Sequence, residues 1–187
     1  MPKRALVLID FQNDYFPGGK WLLIGIESAA SNAAKVLAAA RAAGDLVVHV
    51  RHEFPTADAP FFAPGSKGAE IHPTVRGIDG EPVVLKHHVN AFRETDLKTL
   101  LDRHGVEEVV VCGAMSHMCV DAGVRAAGDL GYMCVVVHDA CATRDQEFEG
   151  AVVPAAQVHA AFMAALRFGY AKLVTTEEYL AGAKAGI

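Results

Sequence analysis

The sequence predicts an α/β fold in which helices cover both faces of a six-stranded parallel sheet. Along the 187 residues, six short apolar segments alternate, for the most part, with segments of helical periodicity. The apolar segments are continuous rather than alternating, which is typical of strands buried on both faces of a parallel sheet. Apolar residues make up 52% of the chain and charged residues 21%, a composition that excludes a disordered chain. We expect one domain over residues 1–187.

Each predicted strand is a short apolar run, and several end at a polar residue or a glycine. Asp10 closes the first strand, Lys86 the third and Gly113 the fourth. Parallel strands need crossover connections, which the helical segments between them can supply. In chain order, the strands are placed at residues 5–9, 46–50, 83–85, 106–112, 132–137 and 172–175.

The predicted helices carry apolar residues at three- and four-residue spacing, and glycine follows several of them as a stop signal. They are placed at residues 28–43, 95–104, 119–130, 154–168 and 176–183.

The stretch at residues 52–80 is the least regular part of the chain and is rich in proline and glycine. A loop of that length is usually functional or packs against a partner subunit. Within it, residues 54–73 include Phe61 and Phe62, which are costly to leave in water. We therefore expect the protein to self-associate.

Composition excludes several classes of function. The net charge is −5 and no basic stripe is visible, so we expect no nucleic-acid partner. No apolar run approaches the about 18 to 20 residues of a membrane span, and no secretory signal is recognised at the N-terminus. The four cysteines lack the spacing of a disulfide framework. These observations predict a cytoplasmic protein with reduced thiols, a small-molecule substrate and no membrane partner.

Three residues that can carry chemistry stand at or just beyond predicted strand ends: Asp10, Lys86 and Cys119. Ligands bind beyond the carboxyl ends of the strands in open parallel sheets, so we expect these residues to share one edge. Taken singly, they could be a turn carboxylate, a solvated lysine and a core thiol.

Together the three residues fit a nucleophilic site. The carboxylate can take the thiol proton, the lysine can hold both groups, and a helix N-terminus favours the thiolate by lowering the pKa of the Cys119 thiol. Ser116 is placed to cap that helix, whose first N–H groups could bind an oxyanion. The combination predicts acyl transfer at a carbonyl.

Four segments carry a family resemblance. Residues 6–15 read LVLIDFQNDY, residues 69–73 AEIHP, residues 85–92 LKHHVNAF and residues 109–132 VVVCGAMSHMCVDAGVRAAGDLGY. Together they resemble the isochorismatase-like cysteine hydrolases, which include nicotinamidases and N-carbamoylsarcosine amidases. The resemblance extends over nearly the whole chain. It implies a three-layer α/β/α, Rossmann-like fold and assembly as a homo-oligomer, commonly a dimer or a tetramer.

The resemblance also implies a catalytic triad. Asp10 matches the acid/base carboxylate, Lys86 the catalytic lysine and Cys119 the nucleophile. A cis peptide bond is implied between Ala114 and Met115, which would direct the N–H groups of Met115 and Cys119 to one oxyanion. The implied reaction is hydrolysis of a C–N bond in a small amide or ureide through a thioester intermediate.

Large side chains that flank the matched segments are candidates for an apolar substrate pocket. The candidates are Phe16, Trp21, Phe92, His117 and Met118.

One departure from the resemblance concerns metal binding. Nicotinamidases carry an Asp-x-His pair after the second strand that binds a divalent metal, whereas residues 50–54 here read VRHEF. His72 stands where another of those ligands would be, and His52, Glu53 and His72 could form a different metal site or be pocket or structural groups. We expect no metal and no cofactor, which argues against nicotinamide as the substrate.

Two alternatives stay open. Some relatives hydrolyse the vinyl ether of isochorismate without a nucleophilic cysteine, so the presence of Cys119 argues against that reaction. A non-catalytic or redox-sensing protein on the same fold is the other alternative. A redox sensor needs a resolving cysteine near Cys119, and Cys112 on the preceding predicted strand is expected to be buried.

Overall fold

A computed structural model describes residues 3–185 and contains a six-stranded sheet. Every neighbouring pair in this sheet is parallel. This confirms the fold class predicted from the continuous apolar runs. The strands of the sheet are β1 (Arg4–Ile9), β2 (Leu46–His52), β3 (Val83–Lys86), β4 (Glu108–Ala114), β5 (Met133–Ala142) and β8 (Ala171–Val174). Their order across the sheet is β3-β2-β1-β4-β5-β8.

Helices pack on both faces of the sheet and make the two outer layers. In β1, Leu6 and Leu8 face one apolar core, while Val7 and Ile9 face the other, because successive side chains of a strand point to opposite faces. Among residues 3–185, no helix combines the length and the apolarity that crossing a membrane requires. The helices are α1 (Ile26–Ala43), α2 (Leu97–Arg103), α3 (Asp121–Asp129), α4 (Ala155–Gly169) and α5 (Thr176–Ala185).

The region after residue 137 departs from the prediction. Strand β5 continues through His138 to Ala142, where it regains pairing with β4 after a shift in register. An antiparallel hairpin then follows, made of β6 (Gln146–Phe148) and β7 (Ala151–Val153). Polar residues hide both segments from a search for apolar runs. His138 and Asp139 interrupt β5 before its buried residues 140–142, and the hairpin is mostly exposed.

Self-association stays a prediction, although the structure removes the reason given for it. Phe61 and Phe62 are buried in their own chain, with ring centroids 5.8 and 4.6 Å from that of Tyr15. Large apolar side chains that remain exposed include Phe148 and Val152 on the hairpin. We expect sedimentation at micromolar concentration to give a species heavier than the 19.8 kDa monomer, because association would cover such side chains. A monomer under those conditions would contradict this prediction.

Candidate active site

The carboxyl edge of the sheet brings Asp10, Lys86 and Cys119 into contact. Asp10 directly follows β1, Lys86 ends β3, and Cys119 lies in the turn after β4. The Nζ atom of Lys86 lies 2.8 Å from Oδ2 of Asp10 and donates a hydrogen bond to Sγ of Cys119 at 3.2 Å. All three side chains are buried. The structure therefore supplies a carboxylate, an ammonium and a thiol at one point, as the strand ends predicted.

Gln12 holds together, by hydrogen bonds, the ends of two strands next to this cluster. Its side-chain amide donates to the carbonyls of His52 at 2.7 Å and Ala69 at 2.8 Å, and its oxygen accepts from the N–H of His52 at 2.7 Å. These bonds tie the end of β1 to the end of β2 and to the long loop. Asp14 acts similarly, since its carboxylate accepts from the backbone N–H of Phe62 at 2.7 Å. Neither anchor was predicted from the sequence, although both residues lie in the matched segment at residues 6–15.

Cys119 lies in a π-helical turn, Ser116–Val120, that leads into α3. The peptide bond between Ala114 and Met115 is cis, as the family resemblance implies. Ser116 does not cap the helix, which corrects the sequence analysis: its hydroxyl bonds to the carbonyl of Ala142 and to the ring of His159. The buried position of Ser116 explains this, because its side chain faces β5 and α4 rather than the first N–H groups of the turn.

The thiol of Cys119 is not activated in the way that its place near a helix N-terminus predicted. Burial raises the pKa of the Cys119 thiol to about 12, the Asp10 charge raises it further, and the Lys86 charge opposes both. The thiol therefore keeps its proton in the free protein. A thiol in this state needs a base at the moment of attack.

Asp10 is suited to be that base. Burial raises the pKa of the Asp10 carboxyl above its ordinary value of 3.8, against the opposing charge of Lys86. For Lys86, burial alone would lower the pKa, but the charges on Asp10 and Cys119 outweigh it and raise the pKa above 10.5. Beyond Lys86 and the neighbouring thiol of Cys119, the Asp10 oxygens have no hydrogen-bond partner within residues 3–185 and can accept a proton.

Cys119 opens into a cavity of about 450 Å³ with a largely aromatic wall. Arg93 and Asn90 line the cavity, but no carboxylate is among the residues that line it within the described chain. The residues that line the cavity include Tyr15, His52, Phe54, Phe61, Phe62 and Arg93.

The structure divides the predicted pocket residues between several places. Met118 lines the cavity of Cys119, and it also lines a neighbouring cavity of about 590 Å³ together with Trp21 and His117. Phe16 and Phe92 are not brought to either cavity. The ring of Phe16 stacks 3.6 Å from that of His72, and the ring of Phe92 lies beside Tyr132. Of the aromatic residues that do line the cavity of Cys119, Phe54, Phe61 and Phe62 come from the long loop, where no periodicity revealed them, and Tyr15 comes from the turn that follows β1.

The residues that replace the Asp-x-His pair do not fit a divalent metal. Nδ1 of His52 lies 2.9 Å from the Lys86 ammonium, which would repel a metal ion. His72 stacks on Phe16, and Glu53 pairs with Arg51 at 3.0 Å. Within residues 3–185, no three His, Cys, Asp or Glu side chains are grouped to hold a metal.

We expect hydrolysis to survive dialysis against a strong chelator. His52 is hydrogen-bonded to Lys86 and Glu53 forms an ion pair with Arg51, so neither is free to bind a metal ion. Activity should stay within about twofold of the untreated protein, because no step requires the Lewis acid that metal enzymes use. The check is a rate measurement with and without chelator, alongside metal analysis of the same sample. Loss of activity that zinc or iron restores would contradict this prediction.

Comparisons of the sequence and of the structure with known proteins find relatives in the same family. The family model described as the Isochorismatase domain matches residues 4–178. The isochorismatase family protein YddQ of Bacillus subtilis is 52% identical over 176 residues, which cover 94% of this chain and 98% of that protein. A solved isochorismatase-family chain from Oleispira antarctica is 58% identical with a TM-score of 0.93, over 96% of this chain and 97% of that chain. Maleamate amidohydrolase of Pseudomonas putida is 30% identical over 78% of this chain and 75% of that protein.

Proposed function

Since this chain belongs to the isochorismatase family of hydrolases, we propose that it cleaves the C–N bond of a small amide or ureide through a thioester at Cys119. One observation carries the proposal. The Lys86 ammonium bridges the Asp10 carboxylate and Cys119 Sγ, at 2.8 and 3.2 Å, beside the cavity that Cys119 lines. The similarity to maleamate amidohydrolase, a relative that acts on an amide, supports the same bond type.

The first half of the reaction forms the thioester. Asp10 accepts the proton of the Cys119 thiol while Sγ attacks the carbonyl carbon, and the carbonyl electron pair moves to oxygen. The backbone N–H groups of Met115 and Cys119 hold the resulting oxyanion. The oxyanion then reforms the carbonyl, the C–N bond breaks, and Asp10 returns the proton to the leaving nitrogen. Lys86 stabilises the negative charge as it passes between Asp10 and Sγ.

The second half releases the acid. Water attacks the thioester carbonyl as Asp10 takes one of its protons, and Sγ leaves with the electrons of the C–S bond. Sγ then takes the proton back from Asp10, which restores the starting state. The raised pKa of Asp10 supports this shuttle, because a carboxylate of higher pKa takes a proton more readily from a thiol or a water molecule.

The cavity favours a small acyl group with an apolar body. Tyr15, Phe54, Phe61 and Phe62 present flat apolar faces around Cys119. A positively charged substrate would meet Arg93 on a lining that carries no carboxylate within the described chain. We therefore expect neutral or anionic amides to be hydrolysed in preference to cationic ones.

A screen of small amides, ureides and isochorismate tests the function. The proposed function predicts ammonia or amine release from at least one amide or ureide, with the matching acid as product. Cleavage of isochorismate with no amide turned over would contradict it and support the vinyl ether alternative. Absence of turnover, together with reversible Cys119 oxidation, would contradict it in favour of redox sensing.

Lys86→Met should lower kcat/KM by about 10²-fold or more, because it leaves Asp10 buried without its counter-ion. The pKa of the Asp10 carboxyl would then rise further, so less of the base would be ionised at a given pH. The measurement is a pH–rate profile, in which the acid limb should move to higher pH. Lys98→Met is the matched control, since Lys98 pairs with Asp102 on the surface. Equal rates for both variants would contradict the assigned role of Lys86.

A further inference from the structure

We propose that Ser116 and His159 are a positioning pair, which holds the turn of Cys119 so that its backbone N–H groups meet the oxyanion formed during attack. The inference rests on the proposed function for the chemistry at Cys119 and adds two residues that act without touching the substrate. Neither of them is among the residues that line the cavity of Cys119 within the described chain. Their effect would therefore pass through the backbone of the turn.

Ser116 joins the turn to two other elements. It is the first residue of the π-helical turn that carries Cys119, and its side chain is fully buried. Its Oγ lies 3.3 Å from the carbonyl oxygen of Ala142, at the end of β5, and 2.8 Å from Nδ1 of His159 on α4. A buried hydroxyl with two such partners has a fixed place, and it fixes the backbone that carries it.

The two hydrogen bonds determine where the protons lie. A carbonyl oxygen only accepts, so the Ser116 hydroxyl donates its one proton to Ala142, and its oxygen can then accept from the ring of His159. Burial, and next the His138 charge, lower the pKa of His159, so its ring is neutral at neutral pH and carries one N–H. The arrangement that makes both bonds places that proton on Nδ1.

The next residue of the turn is held from outside as well. Nδ1 of His117 lies 2.6 Å from Oγ1 of Thr143, and Phe162 packs edge-on against the His117 ring with centroids 5.9 Å apart. Phe162 follows His159 by three residues, so both side chains project from one face of α4. Two consecutive residues of the turn are thus in contact with this face.

Such anchoring bears on the oxyanion more than on the thiol. Met115 directly precedes Ser116 and Cys119 follows it closely, so a shift of the Ser116 backbone would move both N–H groups assigned to the oxyanion. Sγ of Cys119 also accepts a hydrogen bond from Lys86, which the pair does not contact. Oxyanion donors work because they are fixed in advance, and a misplacement of about 1 Å can cost about 10²-fold in rate.

Two reagents that differ in their need for an oxyanion test this inference. With p-nitrophenyl acetate, Sγ attacks the acetyl carbonyl, Asp10 accepts the thiol proton, and p-nitrophenolate leaves with the electrons of the C–O bond. With iodoacetamide, Sγ displaces iodide at a saturated carbon, the thiol proton again passes to Asp10, and no oxyanion forms. Both rate constants would be measured on the full chain at one pH, with the modified Cys119 peptide mapped.

Ser116→Ala should lower the rate constant of acetylation by about 10- to 100-fold and leave that of alkylation within about twofold. His159→Phe should act in the same direction, because it keeps a ring but removes the N–H donor. His159→Asn, whose amide N–H can stand where Nδ1–H does, should restore most of the acetylation rate. Thr176→Val is the control: it removes another buried hydroxyl, bonded to Asp139 at 2.8 Å, and should change neither rate.

The ratio of the two rate constants decides the matter. Equal losses in both reactions would give Ser116 a general structural role, and unchanged acetylation in Ser116→Ala, or no rescue by His159→Asn, would overturn the pairing. A wild-type chain that iodoacetamide alkylates at Cys119 but p-nitrophenyl acetate does not acetylate would overturn it too. Failure of the proposed function would show separately, as no turnover of any amide or ureide, while the ratio would still report on the pair.

Discussion

Cys119→Ala is expected to abolish turnover and leave the fold intact. The substitution removes the sulfur that attacks the carbonyl carbon in the proposed mechanism, while Asp10 and Lys86 keep their ion pair. The loss in kcat should be about 10⁴-fold or more, as for other covalent nucleophiles. The change in the free energy of unfolding should be about 1 kcal/mol, because only one buried sulfur is lost. Steady-state kinetics and chemical denaturation check the two parts separately.

Cys134→Ala is the matched control for this experiment. Cys134 is another buried free thiol, but it lies at the start of β5, at the opposite end of the sheet from Asp10. Its removal should cost a comparable amount of stability and leave kcat unchanged. If Cys119→Ala kept substantial activity, the covalent mechanism would be wrong, and a reaction without a nucleophilic cysteine would take its place.

Asp10→Asn should lower kcat by about 10²- to 10⁴-fold, the usual cost of losing an acid/base group. The amide of Asn has nearly the same shape but cannot accept the thiol proton or pass it to the leaving nitrogen. The wild-type protein should lose activity as the pH falls through the pKa of Asp10, which burial sets above 3.8. Kinetics across pH should show this acid limb in the wild type and no such limb in the residual activity of Asp10→Asn.

Asp45→Asn controls for the loss of a paired carboxylate in general. Asp45 also pairs with a cation, Arg4, at 3.2 Å, but at the opposite end of β1. This control should leave the pH–rate profile unchanged. An Asp10→Asn variant with the same profile and rate as Asp45→Asn would remove Asp10 from the mechanism.

The sheet could be predicted well because a strand buried on both faces requires a run of apolar residues that is recognisable in the sequence. Strands β1 and β4 are buried on both faces, so their continuous apolar runs were enough to place them. The β6–β7 hairpin and the far end of β5 were missed because their pairing depends on neighbouring strands and on a shift in register, which local composition does not encode.

The candidate site, like the sheet, could be predicted from the sequence only in part. Asp10, Lys86 and Cys119 could be grouped from sequence, because the ends of parallel strands must meet at one edge. The cavity wall could not, since Phe54, Phe61 and Phe62 reach it through an irregular loop. The state of the thiol was also mispredicted, because the helix N-terminus is visible in sequence while the burial of Cys119 beside Asp10 is not.

The most direct test of the account is to trap the acyl group on Cys119. The protein would be mixed with the best substrate from the screen, quenched with acid within the first turnovers, and examined by intact mass and peptide mapping. The covalent mechanism predicts an added mass equal to the acyl group, on the peptide that contains Cys119, and none in Cys119→Ala. Product formation with no adduct, or an adduct on another residue, would contradict it.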